Sequence, residues 1–170
     1  MKTYLGHILL FCLAFILLFC NEDHPTIIDI SVDMWIRDQS GNNLLNAATA
    51  GYYKKEDIRI FYLQDGVRKE FNNPRMDAPR GFIIYRNDGN GEYVMKLSPY
   101  EGIVDKEITT TYIQWNDTQT DTVRCLMSRI YQSIYCKKIW YNNVLKYDDA
   151  VPSDITWGNS TYHRFIEIDK

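Results

Sequence analysis

A chain of 170 residues, 45% hydrophobic and 24% charged, is long enough to bury a real core and matches about one domain of ordinary size. Its formal net charge of −3 argues against nucleic acid as a partner, which calls for a basic stripe, and against an electrostatic hold on a membrane surface. Thirteen Tyr, seven Phe and four Trp, with many Ile, Val and Thr and no helical periodicity, tilt the chain toward strands.

One positive residue, Lys2, precedes the unbroken apolar run from Ile8 to Phe19, which stops at Cys20 before the polar Asn21-Glu22-Asp23-His24-Pro25. A helix needs roughly 20 apolar residues to cross a bilayer, whereas a secretion signal needs an apolar core of only about 7 to 15. The run has the length of a signal. A cysteine at the end of such a core resembles the bacterial lipoprotein signal, which implies removal of residues 1–19 and acylation of Cys20. Glu22 and Asp23 resemble the export tag that sends such lipoproteins to the cell surface in Bacteroidota. Phe19 stands where these signals carry a small residue, so an uncleaved amino-terminal anchor stays open beside the cleaved form. The expected organisation is a signal over 1–19, a tether over 20–26 and one domain over 27–170. Membrane lipid is then the partner, through acylated Cys20, and the location is the outer membrane. With residues 1–19 gone, 18 basic and 22 acidic side chains remain, a net charge of −4, because Lys2 is the one charged residue lost.

Past the tether, Ile28, Ile30, Val32, Met34 and Ile36 alternate with polar positions and predict a first, half-buried strand. Arg37 to Asn43 is a turn cluster. Asp57–Gln64 and Val67–Phe71 flank Asp65-Gly66, a type I′ hairpin signal, in which opposed residues sum to 131, with Phe61 across from Glu70 and Ile60 across from Phe71. Phe82–Arg86 and Glu92–Ser98 surround a longer turn. The β-branched run Glu107–Trp115 predicts another strand, and Asp121–Ser128 with Ser133–Tyr141 a further pair. Asn142-Asn143 turns into Val144–Tyr147, and Tyr162–Ile168 closes the series. About nine short strands without credible helices predict an all-β fold, a single antiparallel sandwich.

The turn Ser40-Gly41-Asn42-Asn43-Leu44-Leu45-Asn46, the hairpin ending Phe61-Tyr62-Leu63-Gln64-Asp65-Gly66, and the runs Tyr112-Ile113-Gln114-Trp115-Asn116-Asp117 and Lys138-Ile139-Trp140-Tyr141-Asn142 resemble small uncharacterised Bacteroidales lipoproteins. That resemblance implies an immunoglobulin-like or transthyretin-like β-sandwich in the cell envelope, and no assigned activity.

Several groups are candidates for chemistry. Two cysteines remain in the domain, Cys125 and Cys136. A loop centred on Ile130-Tyr131 would make them direct cross-strand neighbours, about 5.5 Å apart at Cα, so a disulfide and two buried free thiols both stay open. No spacing of His24 or His163 to these thiols suggests zinc, and no cofactor or metal is expected. Asn87 to Glu92 packs oxygen ligands as a calcium loop does, but lacks EF-hand spacing and reads as a hairpin turn. Asp148, Asp149 and Asp154 could likewise gather oxygen ligands at one end of the sandwich, but read as solvated loop acids. Ser160, His163 and Asp154 could make a hydrolytic triad, though no nucleophile elbow or oxyanion hole accompanies them, and a hydrolase using this group or loop acids is the alternative. Trp157 with Tyr162, and Tyr52, Tyr53 and Tyr100 in loops, form a candidate stacking platform for a glycan or protein ligand, while Trp35, Trp115 and Trp140 read as core. The functional expectation is a binding or structural module rather than an enzyme.

Overall fold

Alternation of apolar and polar residues gives each strand one face to bury, and here two such faces meet. The computed structural model describes residues 26–102, 106–151, 156–157, 160–161 and 164–170, and no helix occurs among them. The strands are β1 (Ile28–Asp29), β2 (Val32–Arg37), β3 (Arg59–Gln64), β4 (Val67–Glu70), β5 (Phe82–Arg86), β6 (Tyr93–Leu97) and β7 (Ile108–Gln114). They continue as β8 (Thr120–Ile130), β9 (Ser133–Tyr141), β10 (Val144–Asp148), β11 (Thr156–Trp157), β12 (Ser160–Thr161) and β13 (Phe165–Asp169). A seven-stranded sheet runs β1-β9-β8-β7-β3-β4, with β10 also on β9, and a four-stranded sheet runs β13-β2-β6-β5. β11 and β12 pair separately.

The core lies between the two sheets. Val32, Met34, Ile36, Met95, Leu97 and Ile166 come from the smaller sheet, and Ile60, Ile113, Val123, Met127 and Ile139 from the larger, all at most 1% exposed. The all-β sandwich expected from the strand pattern is therefore observed, as a pair of mixed sheets. Two pairs are parallel rather than antiparallel, β1 on β9 and β13 on β2.

The first strand departs from its reading as one element. It breaks at Ile30-Ser31, so that β1 joins the larger sheet and β2 the smaller, although Ile30, Val32, Met34 and Ile36 all stay buried across the break. Ile28, expected on the buried face, is consequently exposed, while Ile30 turns into the core. Such a strand closes a corner of a sandwich by contributing to both layers. Trp35 is buried, but on the outer face of the smaller sheet, where it packs with Val94, Phe165 and Tyr85. Trp140 is only half-buried.

The β3–β4 hairpin keeps the expected register, Phe61 opposite Glu70, and the Phe71 amide donates to the Ile60 carbonyl at 2.8 Å. Asp65 and Gly66 have φ of 52° and 74°, as a type I′ turn requires.

One buried carboxylate ties the layers together. Asp121 accepts hydrogen bonds from Trp115 Nε1 at 2.5 Å, Tyr141 Oη at 2.6 Å and Asn142 Nδ2 at 2.7 Å, and from Lys170 Nζ. Lys170 follows β13 in the smaller sheet, so this ion pair crosses the core. Its ammonium also lies 5.0 Å from the Trp115 ring centroid and 5.7 and 5.8 Å from those of Tyr141 and Tyr53. Burial pushes the Asp121 carboxyl up, but the four donors outweigh it and hold it below the ordinary carboxylate range. Burial pulls the Lys170 ammonium down against the pull of Asp121.

Removing one member of a buried pair strands the other, at a cost of about 3–5 kcal/mol. Asp121→Ala should therefore lower stability by about that amount in urea unfolding. Because the folded pKa of Asp121 is depressed, its contribution is complete above about pH 4, the unfolded value, and is lost as pH falls through the folded value. Asp121→Asn should flatten that acid limb of the stability curve.

Candidate functional site

The β3–β4 hairpin and the loop after β6 enclose an aromatic cleft of about 260 Å³, lined by Ile30, Tyr62, Gln64, Phe71, Met76, Ser98, Pro99, Tyr100 and Glu101. Tyr62 forms its floor. Its ring lies 4.8 Å from Phe71 and 5.4 Å from Tyr100, the latter pair stacked at 30°. The Tyr62 hydroxyl donates to the Ser98 carbonyl at 2.8 Å, which fixes the ring against the loop. Burial, and then the charge of Glu101, push that hydroxyl far above its ordinary pKa, so it remains a donor.

The loop that carries Tyr100 is held at several points. The Tyr100 amide donates to Thr111 Oγ1 at 2.9 Å, and Arg129 Nη2 donates to the Gly102 carbonyl at 2.6 Å. Gly102 has φ of 73°, and a Cβ there would stand 2.5 Å from the Glu107 carboxylate and 2.8 Å from Thr109 Cγ2, so no other residue fits without displacement. Burial, then Glu107, Asp65 and Glu101, raise the Tyr100 pKa against an opposing effect of Arg129. Glu101 is the one charged residue among the described residues lining the cleft, and its carboxylate disfavours anionic ligands.

A second cleft of about 290 Å³ lies at the other end of β6, lined by Leu45, Ala47, Tyr52, Tyr53, Lys55, Glu56, Ile84 and Tyr93. The candidate aromatic platform is accordingly divided. Tyr100 belongs to the first cleft, and Tyr52 and Tyr53 to the second. Tyr53 is largely core, stacked on Trp115 at 4.7 Å with its hydroxyl on Gln119 Oε1 at 2.8 Å. Trp157 is on β11, but its side chain lies outside the described residues, as does Tyr162. In the sequence, Tyr62 and Phe71 stand out only as strand residues. Their signal was present in the hairpin register, which puts Phe71 opposite Ile60 and so places Tyr62, two residues on, diagonally beside it on one face.

The cysteines are not direct neighbours. β8 and β9 join through the two-residue turn Tyr131-Gln132, and a bulge shifts the register between Leu126 and Met127, so that Cys136 opposes Met127 and Cys125 opposes Ile139. The turn is one residue later than the loop centre expected, and the bulge adds a second offset. Both thiols are free and buried. Hydrogen bonding between the two sulfurs, and then burial, push the Cys125 thiol well above the ordinary thiol range.

Of the triad, His163 and Asp154 lie outside the described residues, as do the side chain of Ser160, which is on β12, and Cys20 with the whole leader. In the turn after β5 the side-chain oxygens serve the backbone, Asn87 Oδ1 accepting from Gly89 N at 2.8 Å and Asn90 Oδ1 from Glu92 N at 3.0 Å. Among the described residues no three His, Cys, Asp or Glu side chains gather as metal ligands. Asp148 and Asp149 are paired with Lys138 and Lys137, each at 2.7 Å.

Iodoacetamide should leave Cys125 and Cys136 unlabelled in the native protein and modify both after denaturation without reductant. Peptide mapping by mass checks this, and a disulfide-linked peptide pair would contradict it. No protein-family model, characterised protein or solved structure matches this chain.

Proposed function

We propose that the chain is a non-enzymatic lipoprotein of the Bacteroidota cell envelope, held on the outer membrane by an acylated Cys20, and that it binds a neutral glycan in the Tyr62–Phe71–Tyr100 cleft. The sandwich is assigned to the immunoglobulin-like group, and the first strand that divides between two sheets supports that assignment. The observation that carries the binding reading is the cleft itself, an aromatic floor with an amide and a carboxylate, Gln64 and Glu101, at its rim. Its volume is below the roughly 300–1,000 Å³ of sites for drug-sized ligands, so it takes one ring rather than a buried chain. A sugar offers such a ring an apolar C–H face for stacking and hydroxyls for the rim.

Binding is favoured over hydrolysis by the count of carboxylates. Glycoside cleavage needs two, one acid and one base or nucleophile, and among the described residues lining the cleft Glu101 is the one carboxylate. The anchor reading is supported by the leader, with its apolar run ending at Cys20.

On a glycan array, Tyr100→Ala should weaken binding by about tenfold, in keeping with the loss of a stacking contact worth roughly 1 kcal/mol or more. Binding unchanged by Tyr100→Ala would sink the cleft as the site. Metabolic labelling with palmitate should mark the wild-type chain and not Cys20→Ser.

A further inference from the structure

The β8–β9 hairpin tip breaks two local rules. Its turn is Tyr131-Gln132, and Tyr131 adopts φ of 54°, a left-handed conformation usual for Gly, Asn or Asp and costly for a bulky residue. Tyr131 is also 80% exposed, and Ile130 beside it 50%. Backbone strain that is retained together with an exposed aromatic ring points to a use for that ring.

The tip does not stand alone. The Ile27 carbonyl accepts from Ile134 N at 2.8 Å, Ile27 N donates to Ser133 Oγ at 3.1 Å, and Thr26 Oγ1 bonds Gln132 Oε1 at 2.9 Å. These bonds bring Ile27 and Ile28, 45% and 59% exposed, to the same end of the larger sheet as Ile130 and Tyr131, with β9 between them. Four large apolar side chains thus share one end of the sandwich, the end where the chain arrives from its leader. Between Thr26 and the last apolar residue of the leader, Phe19, lie only six residues, Cys20 to Pro25. Fully extended, they let Thr26 stand about 24 Å from Phe19 at most.

We propose that Ile27, Ile28, Ile130 and Tyr131 form a membrane-docking patch, which seats this end of the domain in the interfacial layer of the bilayer that holds its anchor. The inference rests on the anchored reading given above. Tyrosine suits that depth, with an apolar ring for the acyl boundary and a hydroxyl for the headgroups. The nearby charges are of both signs, with Asp29 paired to Arg164 and Arg129 engaged with the carbonyls of Glu101 and Gly102. The contact is therefore apolar rather than electrostatic, and it should be insensitive to anionic lipid and to salt.

The test uses the full chain reconstituted in phosphatidylcholine vesicles, with an environment-sensitive fluorophore on Gln132→Cys or, at the opposite end of the sandwich, on Ala48→Cys. Spin-labelled lipid should quench the probe at position 132 several-fold more than the probe at 48. Tyr131→Asn and Ile130→Ser, each added to Gln132→Cys, should bring quenching down to the level at 48. Asn tolerates positive φ, so Tyr131→Asn should also raise the unfolding midpoint, which separates lost docking from lost folding. Vesicles that float with the protein while the two probes are quenched equally would overturn the docking patch and leave the anchor intact. Protein that fails to float with the vesicles would overturn both.

Discussion

Asp121 is the point on which the two layers agree. It sits at the start of β8, takes donors from the end of β7, from β9 and from the turn after β9, and meets the ammonium that follows β13 in the opposite sheet. Dispersion between apolar faces has little directional preference, so a sandwich held by Ile, Val and Met alone could slide. A carboxylate with four fixed donors defines one position of the sheets, because any slip would leave a buried charge without its partners. The aromatic rings around Lys170 exclude water from this pair and strengthen the reason to keep it matched.

The parts of this architecture that were legible in the sequence are those set by local chemistry. Asp65-Gly66 fixes a turn by its backbone requirement, and the register of β3 and β4 follows from that alone. The β-branched density of Ile108 to Gln114 and the alternation in β2 likewise act within a few residues. What was not legible depends on distant partners. The break at Ile30-Ser31 has no Gly or Pro to mark it, and arises because β9 and β6 compete for successive parts of one apolar run. The register of β8 and β9 was hidden for a related reason, since neither the turn Tyr131-Gln132 nor the bulge opposite Leu126 and Met127 carries a Gly or Asn to mark it. The aromatic cleft shows the intermediate case. Its floor was encoded in the hairpin register, but the approach of Tyr100 depends on Arg129 and Gly102, which are distant in sequence from that hairpin.

Most edges of the sheets are ill suited to contact. β4 is short, wholly exposed and charged through Arg68, Lys69 and Glu70, and β10 is bulged and carries Lys146. β13 sets Glu167 and Asp169 outward. Charge and bulges of this kind discourage pairing with foreign strands. The ends of the sandwich are different, because there the chain must turn and side chains from several loops converge. Both clefts and the exposed apolar tip lie at those ends.

The two ends are not equivalent, and the hydrogen bonds say which is which. Arg129, next to Ile130 of the hairpin tip, reaches the carbonyl of Gly102 behind Tyr100, so the aromatic cleft and the apolar tip share one end. The cleft bounded by Tyr52 and Tyr93 lies at the other, beside Leu45 and the turn that leaves β2. The chain reaches the domain at the first of these ends, since Thr26 and Ile27 bond Gln132, Ser133 and Ile134. Six intervening residues make seven Cα–Cα steps and cannot carry Thr26 more than about 24 Å from Phe19, so the anchor proposed above would keep the aromatic cleft close to the membrane. Under that proposal a glycan bound there would be met at the membrane surface, whereas the second cleft would point away from it. Position along the tether thus separates two sites that composition alone does not distinguish.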